Sequence, residues 1–204
     1  DREGIGDGKR HFQAAIKYGL FTNDSALPKL AWIEYLSGNN DRAIELLGTA
    51  AKQQTGQARA LSLYYRGAIL NRLKMCNEAL ADLDAAIAER PDLTAAREEK
   101  GEALWQLGRN DEAVKVWQEA APGSDSAVII NYMLAGAARS QQNEVSYSEY
   151  EQQAEAATPD DALFNWMVGM RLQNLGMNEL AEKRFRRAVE INPEFERARD
   201  LDII

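Results

Sequence analysis

Between residues 58 and 73 the chain reads ARALSLYYRGAILNRL, with apolar residues returning at steps of three and four. That spacing lays one apolar stripe along an α-helix and leaves the opposite face polar. Similar stripes recur down the chain on a shared skeleton. GEALWQLGRNDEAVKVWQEA (101–120) and GMRLQNLGMNELAEKRFRRA (169–188) place Gly, Leu, Gly, Ala, an aromatic residue and Ala at identical offsets. Aligned on the first glycine, the opening positions are Gly67, Gly101, Ala135 and Gly169, each 34 residues from the next. A small residue follows at Ala79, Ala113 and Ala181, a large apolar one at Leu83, Trp117 and Phe185, and alanine again at Ala86, Ala120 and Ala188. Pro91, Pro159 and Pro193 close three of the units, and Pro122 comes early in the other. An upstream unit, with Ala31, Gly38, Ala43, Leu47 and Ala50, stands 36 residues before the next because the link KQQTGQ (52–57) carries two extra residues.

The skeleton predicts a helix–turn–helix in each block. Glycine inside a helix costs about 1 kcal/mol relative to alanine. Three glycines at one register therefore point to helices that approach too closely for a side chain. Gly108 and Gly176 fall where the first helix of a pair must end, and Asn110 or Asp111 can then cap the second. Proline after a second helix blocks its continuation. Trp117 and Phe185 belong to the core of a helix pair and are expected to be structural.

This pattern resembles the tetratricopeptide repeat, a 34-residue helix–turn–helix unit with these small and large positions. The resemblance spans residues 24–193, in units near 24–59, 60–93, 94–127, 128–161 and 162–193. The fourth of these departs from the pattern, with Tyr147 at the small position and Glu151 at the large one. Its second helix, EVSYSEYEQQAEAA, is expected to be shifted in register or splayed. The resemblance implies an all-α, right-handed superhelical solenoid of about five units and about twelve helices, curled around a concave groove. Residues 1–23 would be an N-terminal tail with a cap or partial-repeat helix, and residues 194–204 a C-terminal capping helix.

Composition narrows the function classes. With 24 Lys and Arg against 32 Asp and Glu, the formal charge of −8 gives no footprint for a phosphate backbone, so no nucleic-acid partner is expected. The basic run KRFRR (183–187) sits among glutamates and reads as a solvated helix face. No apolar run reaches the ~18 residues of a membrane span. The chain opens on Asp1 and is expected to be a trimmed or processed form; cytoplasm and periplasm are both compatible. One cysteine, Cys76, and one histidine, His11, supply neither a disulfide framework nor a metal cluster nor a triad. GIGDGKR (4–10) lacks the preceding strand and the Ser or Thr of a phosphate loop. Pairs such as Asp82 with Asp84 read as solvated acids. No catalytic residue, metal or cofactor is expected.

In tetratricopeptide proteins the first helix of each unit lines the groove, so the resemblance places partner-binding positions at Trp32, Tyr35, Tyr64, Glu98, Glu102, Trp105, Tyr132, Arg139, Trp166, Met170 and Gln173. The competing reading of the aromatic residues, above all Tyr64 and Tyr132, is packing between adjacent units or against a terminal helix. Chaperone-binding members clamp a terminal carboxylate with Lys and Asn on these helices. This chain has Tyr64 with Ala68 and then Glu98 with Glu102, an acidic cradle expected to repel such a ligand. The function implied is a non-catalytic protein-interaction scaffold that takes a peptide or partner helix in the groove. Two further readings stand beside it: the repeat region of a larger envelope-assembly protein or of an enzyme, recruiting substrate or partner, and a self-associating solenoid.

Overall fold

The computed structural model describes residues 23–124 and 126–195. The expected cap helices within 1–22 and beyond 195 lie outside the described residues. Among the described residues there are ten α-helices and no strand: α1 (Asn23–Leu36), α2 (Asn40–Gln53), α3 (Gly56–Arg72), α4 (Cys76–Glu89), α5 (Thr94–Gln106), α6 (Asn110–Ala120), α7 (Ala127–Ser140), α8 (Glu144–Ala157), α9 (Ala162–Asn174) and α10 (Asn178–Ile191). The fold is all-α and built of repeated helix–turn–helix elements. The chain divides between Arg109 and Asn110 into two compact units, the first containing α1–α5 and the second α6–α10.

Close approach at the small residues builds each unit. In the first, a methyl group on Gly67 would sit 2.7 Å from Leu83 Cγ and 3.3 Å from the Ala79 carbonyl oxygen. The glycine on α3, the alanine on α4 and the leucine one turn further along α4 therefore form a single contact. Ala31, Ala43, Leu47 and Ile69 make an equivalent cluster between α1, α2 and α3, with Trp32, Tyr35 and Tyr65 packed against it. In the second unit a methyl group on Gly169 would lie 2.6 Å from the Phe185 ring, which brings α9 onto α10. Met177, at the head of α10, fills the space that a side chain on Gly136 of α7 would need.

The second helices begin at residues 40, 76, 110, 144 and 178, so every step after the first is 34 residues. The expectation of a shifted α8 is thus corrected: the helix starts in step. Ala154 is its one buried residue and stands where Ala120 and Ala188 stand, a repeat of the alanine that the sequence pattern already carried. The turns explain why the register holds through a poorly matching helix. Gly38, Lys74, Gly108, Gln142 and Gly176 all have positive φ, between 57° and 81°. Each donates its N–H three residues back, to Tyr35, Asn71, Trp105, Arg139 and Gln173 in turn. The next residue donates five back, to Glu34, Leu70, Leu104, Ala138 and Leu172. That pair of bonds is the Schellman closure of a helix C-terminus, made identically in all five turns. Capping at the other end differs from expectation. Asn110 and Asp111 already lie inside α6, whereas side-chain caps form at Asn143, which accepts from Ser146 N at 3.1 Å, and Asp161, which accepts from Phe164 N at 2.6 Å.

Lys74 and Gln142 carry side chains at the left-handed position, where glycine is favoured. Lys74→Gly and Gln142→Gly should each raise stability by about 0.5 kcal/mol, part of the relief being offset by the looser unfolded chain. Gly176→Ala should lower it by about 1 kcal/mol, although nothing lies within 4 Å of the added methyl. Urea unfolding of the three variants checks the signs.

Candidate functional site

In the first unit α1 and α3 together carry an aromatic face. Trp32 and Tyr35 stand one turn apart on α1, with ring centroids 5.5 Å apart. Tyr65 of α3 lies 6.3 Å from Trp32 and 5.0 Å from Tyr64. The planes are tilted by 42° to 57°, as the ring quadrupoles favour. All four rings are half-buried. Trp32, Tyr35 and Tyr65 rest on the apolar cluster under α1, Tyr64 joins them through Tyr65, and part of each ring remains in solvent. The Arg72 guanidinium lies 5.5 Å from the centroid of Trp32, donates to Ala68 O at 2.8 Å and faces Glu99 at 3.3 Å. Asn71 donates to the Glu99 carbonyl oxygen at 2.8 Å, tying α3 to α5 beneath this face. Tyr65 was not singled out by the groove spacing. Trp105 is half-buried on α5.

Glu98 and Glu102 require correction. They are 3% and 6% exposed, packed into α5 along with Ala96, Glu99, Gly101, Ala103 and Leu104. Carboxylates this deep belong to the packing of the fold, so the acidic cradle expected to turn away a terminal carboxylate is not presented at the surface. An open hollow at the α1–α2 turn is lined by Glu34, Gly38, Asn39, Asn40, Asp41 and Arg42, with no apolar residue for a partner side chain to fill. Burial pushes the Cys76 thiol up, away from nucleophilic use.

In the second unit Tyr132 and Trp166 are also corrected. Tyr132 is fully buried because Arg184 of α10 reaches it. Arg184 Nη1 donates to the Tyr132 hydroxyl at 2.7 Å, its guanidinium lies 4.9 Å from the ring centroid, and the hydroxyl meets Thr158 Oγ1 at 2.7 Å. Burial pushes the Tyr132 phenol up. Trp166 is buried between Phe185 at 4.8 Å and Phe195 at 5.4 Å. Arg139 is exposed but engaged, pairing with Glu144 at 2.8 Å and Glu179 at 3.1 Å while lying 5.0 Å from the Tyr147 ring. Met170 is half-buried and Gln173 exposed. Leu163 and Met167, at 57% and 58% exposure, are outward apolar residues that the groove spacing passed over. They fall one turn apart, with Met170 three residues further, which was legible as a second stripe on α9.

Among the described residues no group of His, Cys, Asp and Glu is placed to hold a metal ion, and no helix is long and apolar enough to cross a membrane. No protein-family model matches the sequence, and no curated protein does. Solved structures do match in fold. TTC0263 of Thermus thermophilus, a thermophilic tetratricopeptide-repeat protein, superposes with a TM-score of 0.63 at 18% identity, over 83% of this chain and 92% of that one. MamA (41-end) from Desulfovibrio magneticus RS-1 gives 0.59 at 17% identity, over 85% and 97%. A chain of the APC/C hetero-tetramer Cut9–Hcn1 gives 0.66 at 18% identity, over 93% of this chain and 37% of that one. The fold is the helical repeat of tetratricopeptide type.

The Arg184 cluster sets a pH dependence in the second unit. Partial burial opposes ionisation of Glu155, but Lys183 at 2.9 Å and Arg184 at 2.5 Å outweigh it and hold the carboxyl below the ordinary glutamate range. Its contribution is therefore present above the unfolded value and is lost as pH falls through the lower folded one. Thermal melts from pH 6 to pH 3 should show the parent losing stability faster than Glu155→Gln below about pH 4.3. Parallel curves would remove Glu155 as the titrating group.

Proposed function

We infer that this chain is a non-catalytic protein-interaction scaffold whose first unit holds a peptide or a partner helix on the aromatic face of α1 and α3. The observation that carries this reading is the run of Tyr35, Trp32, Tyr65 and Tyr64, four rings each touching the next that are half-buried yet still open to solvent. Contiguous exposed aromatic surface on a soluble domain generally marks a contact. Aromatic anchors also supply most of the binding free energy of such contacts. Trp105 extends the candidate set within the first unit. In the second unit Met170 and Gln173 remain candidates, and Arg139 would have to exchange its carboxylate partners for a ligand. The buried Glu98, Glu102, Tyr132 and Trp166 act through folding on this reading. The ligand is one that offers apolar or aromatic side chains, the anchoring mode of a helix or extended peptide laid on a helical surface. The tetratricopeptide-type fold and a sequence with one histidine and one cysteine both support a binding role over a catalytic one.

Self-association is the second reading, and the outward Leu163 and Met167 on α9 favour it. Mass in solution, with and without Met167→Lys, separates it from capture of a different protein. The likeness to 37% of the length of a Cut9–Hcn1 chain also fits a role as the repeat region of a longer protein.

A photo-crosslinking residue placed at Tyr64, with one at Glu78 as the control, identifies any partner bound to this face. Calorimetry against that partner should then show Trp32→Ala and Tyr64→Ala each weakening binding by about 2 kcal/mol, about 30-fold, with the circular dichroism spectrum unchanged. Unaltered affinity in both variants would move the site off the α1–α3 face.

A further inference from the structure

We propose that α8 is a detachable helix, held to the second unit by ion pairs and hydrogen bonds and released ahead of the rest of that unit when ionic strength rises. The other second helices are fixed mainly by apolar burial: counting only hydrophobic residues and glycine, five are buried in α2, five in α4, three in α6 and four in α10. In α8 only Ala154 is buried, and Val145 is 70% exposed. The cause is in the sequence. Where the sister helices carry Ala43 with Leu47, Ala79 with Leu83 or Ala181 with Phe185, α8 carries Tyr147 with Glu151, both only half-buried.

Charge takes the place of that contact. Lys183 of α10 bridges Glu151 at 2.8 Å and Glu155 at 2.9 Å, and Arg184 of α10 binds Glu155 at 2.5 Å. Arg139 of α7 pairs with Glu144 at 2.8 Å and lies over Tyr147, while also facing Glu179 of α10. Gln118 of α6 donates to the Tyr150 hydroxyl at 2.9 Å. Most of these side chains are at least one-third exposed, so mobile ions reach them. The screening length falls from about 30 Å at 0.01 M salt to about 3 Å at 1 M. Apolar contacts in α9 and α10 have no such dependence. The C-terminal end is tied more firmly, because Thr158 donates to Ala154 O at 2.7 Å and meets the buried Tyr132 hydroxyl. Release therefore loosens the body of α8, between the Schellman turn at Gln142 and the Thr158–Tyr132 contact. It uncovers α7, where Tyr132 to Ala138 are seven consecutive buried positions. A helix apolar on all sides is stable only while covered.

Hydrogen exchange of the full chain, read by mass spectrometry at low and high sodium chloride, tests this. At 0.5 M salt, peptides from 144–157 should exchange about 10-fold faster than those from 178–191, and about three-fold or more faster than they themselves do at 0.02 M. Peptides from α9 and α10 should change little. Lys183→Gln, at an exposed position, should reproduce at low salt the exchange that the parent shows at high salt. Tyr147→Ala with Glu151→Leu recreates the Ala31, Ala43 and Leu47 arrangement of the first unit around Ala135. This double variant should bring α8 to the protection of α10 and abolish the salt response. Equal protection of α8 and α10 at both salts overturns the proposal, as does acceleration of all helices together or a Lys183→Gln variant indistinguishable from the parent.

Discussion

The fold depends on how closely two antiparallel helices approach at one point in a pair, as they do in α1–α2, α3–α4 and α9–α10. At Gly67 and Gly169 the facing leucine or phenylalanine occupies the space of the missing side chain. A residue with a Cβ there would force the helices apart or the large side chain off its rotamer, at about 1–3 kcal/mol. The approach brings the small alanine of the second helix into the same contact. Ala31, Ala43 and Leu47 achieve it with alanine in place of glycine. Once the pair is closed there, the Schellman turn fixes the connection, and the remaining surface of each first helix is free to vary. The chain uses that freedom for Trp32, Tyr35, Tyr64 and Trp105.

Period and pairing were legible because they are local. A 34-residue step, a glycine opposite a large residue and a glycine after the first helix are each read within one block of sequence. The turn position was only partly legible. Glycine announces it at Gly38, Gly108 and Gly176, but Lys74 and Gln142 adopt the same conformation because the two Schellman hydrogen bonds around them outweigh the cost of a side chain there. The in-step start of α8 was missed for the same reason: register comes from the turn and from Ala154, and the mismatched Tyr147 and Glu151 change how the helix is held rather than where it begins.

The candidate site was legible to a smaller degree, because burial of a groove-facing position depends on residues far away in sequence. Tyr132 is enclosed by Arg184, 52 residues on, and Trp166 by Phe185 and Phe195. Spacing within a first helix contains no record of such long side chains reaching across. Nor does it reveal that Glu98 and Glu102 are drawn inside. On α1 and α3 the rings of Trp32, Tyr35 and Tyr65 pack against Ala31, Ala43, Leu47 and Ile69 and stay only half-buried. The same chemistry that makes an aromatic side chain a good anchor makes it a good packing element, and only its surroundings separate the two uses.

A double-mutant cycle at Gly67 and Leu83 tests the close-approach claim most directly. In the parent, Gly67→Ala should lower the free energy of urea unfolding by about 1–3 kcal/mol, because the new methyl meets Leu83. In the Leu83→Ala background, where that side chain is gone, the same substitution should be neutral or stabilising, by up to about 1 kcal/mol from helix propensity. A Gly67→Ala that stabilises both backgrounds, as it would in an unconstrained helix, would contradict the account.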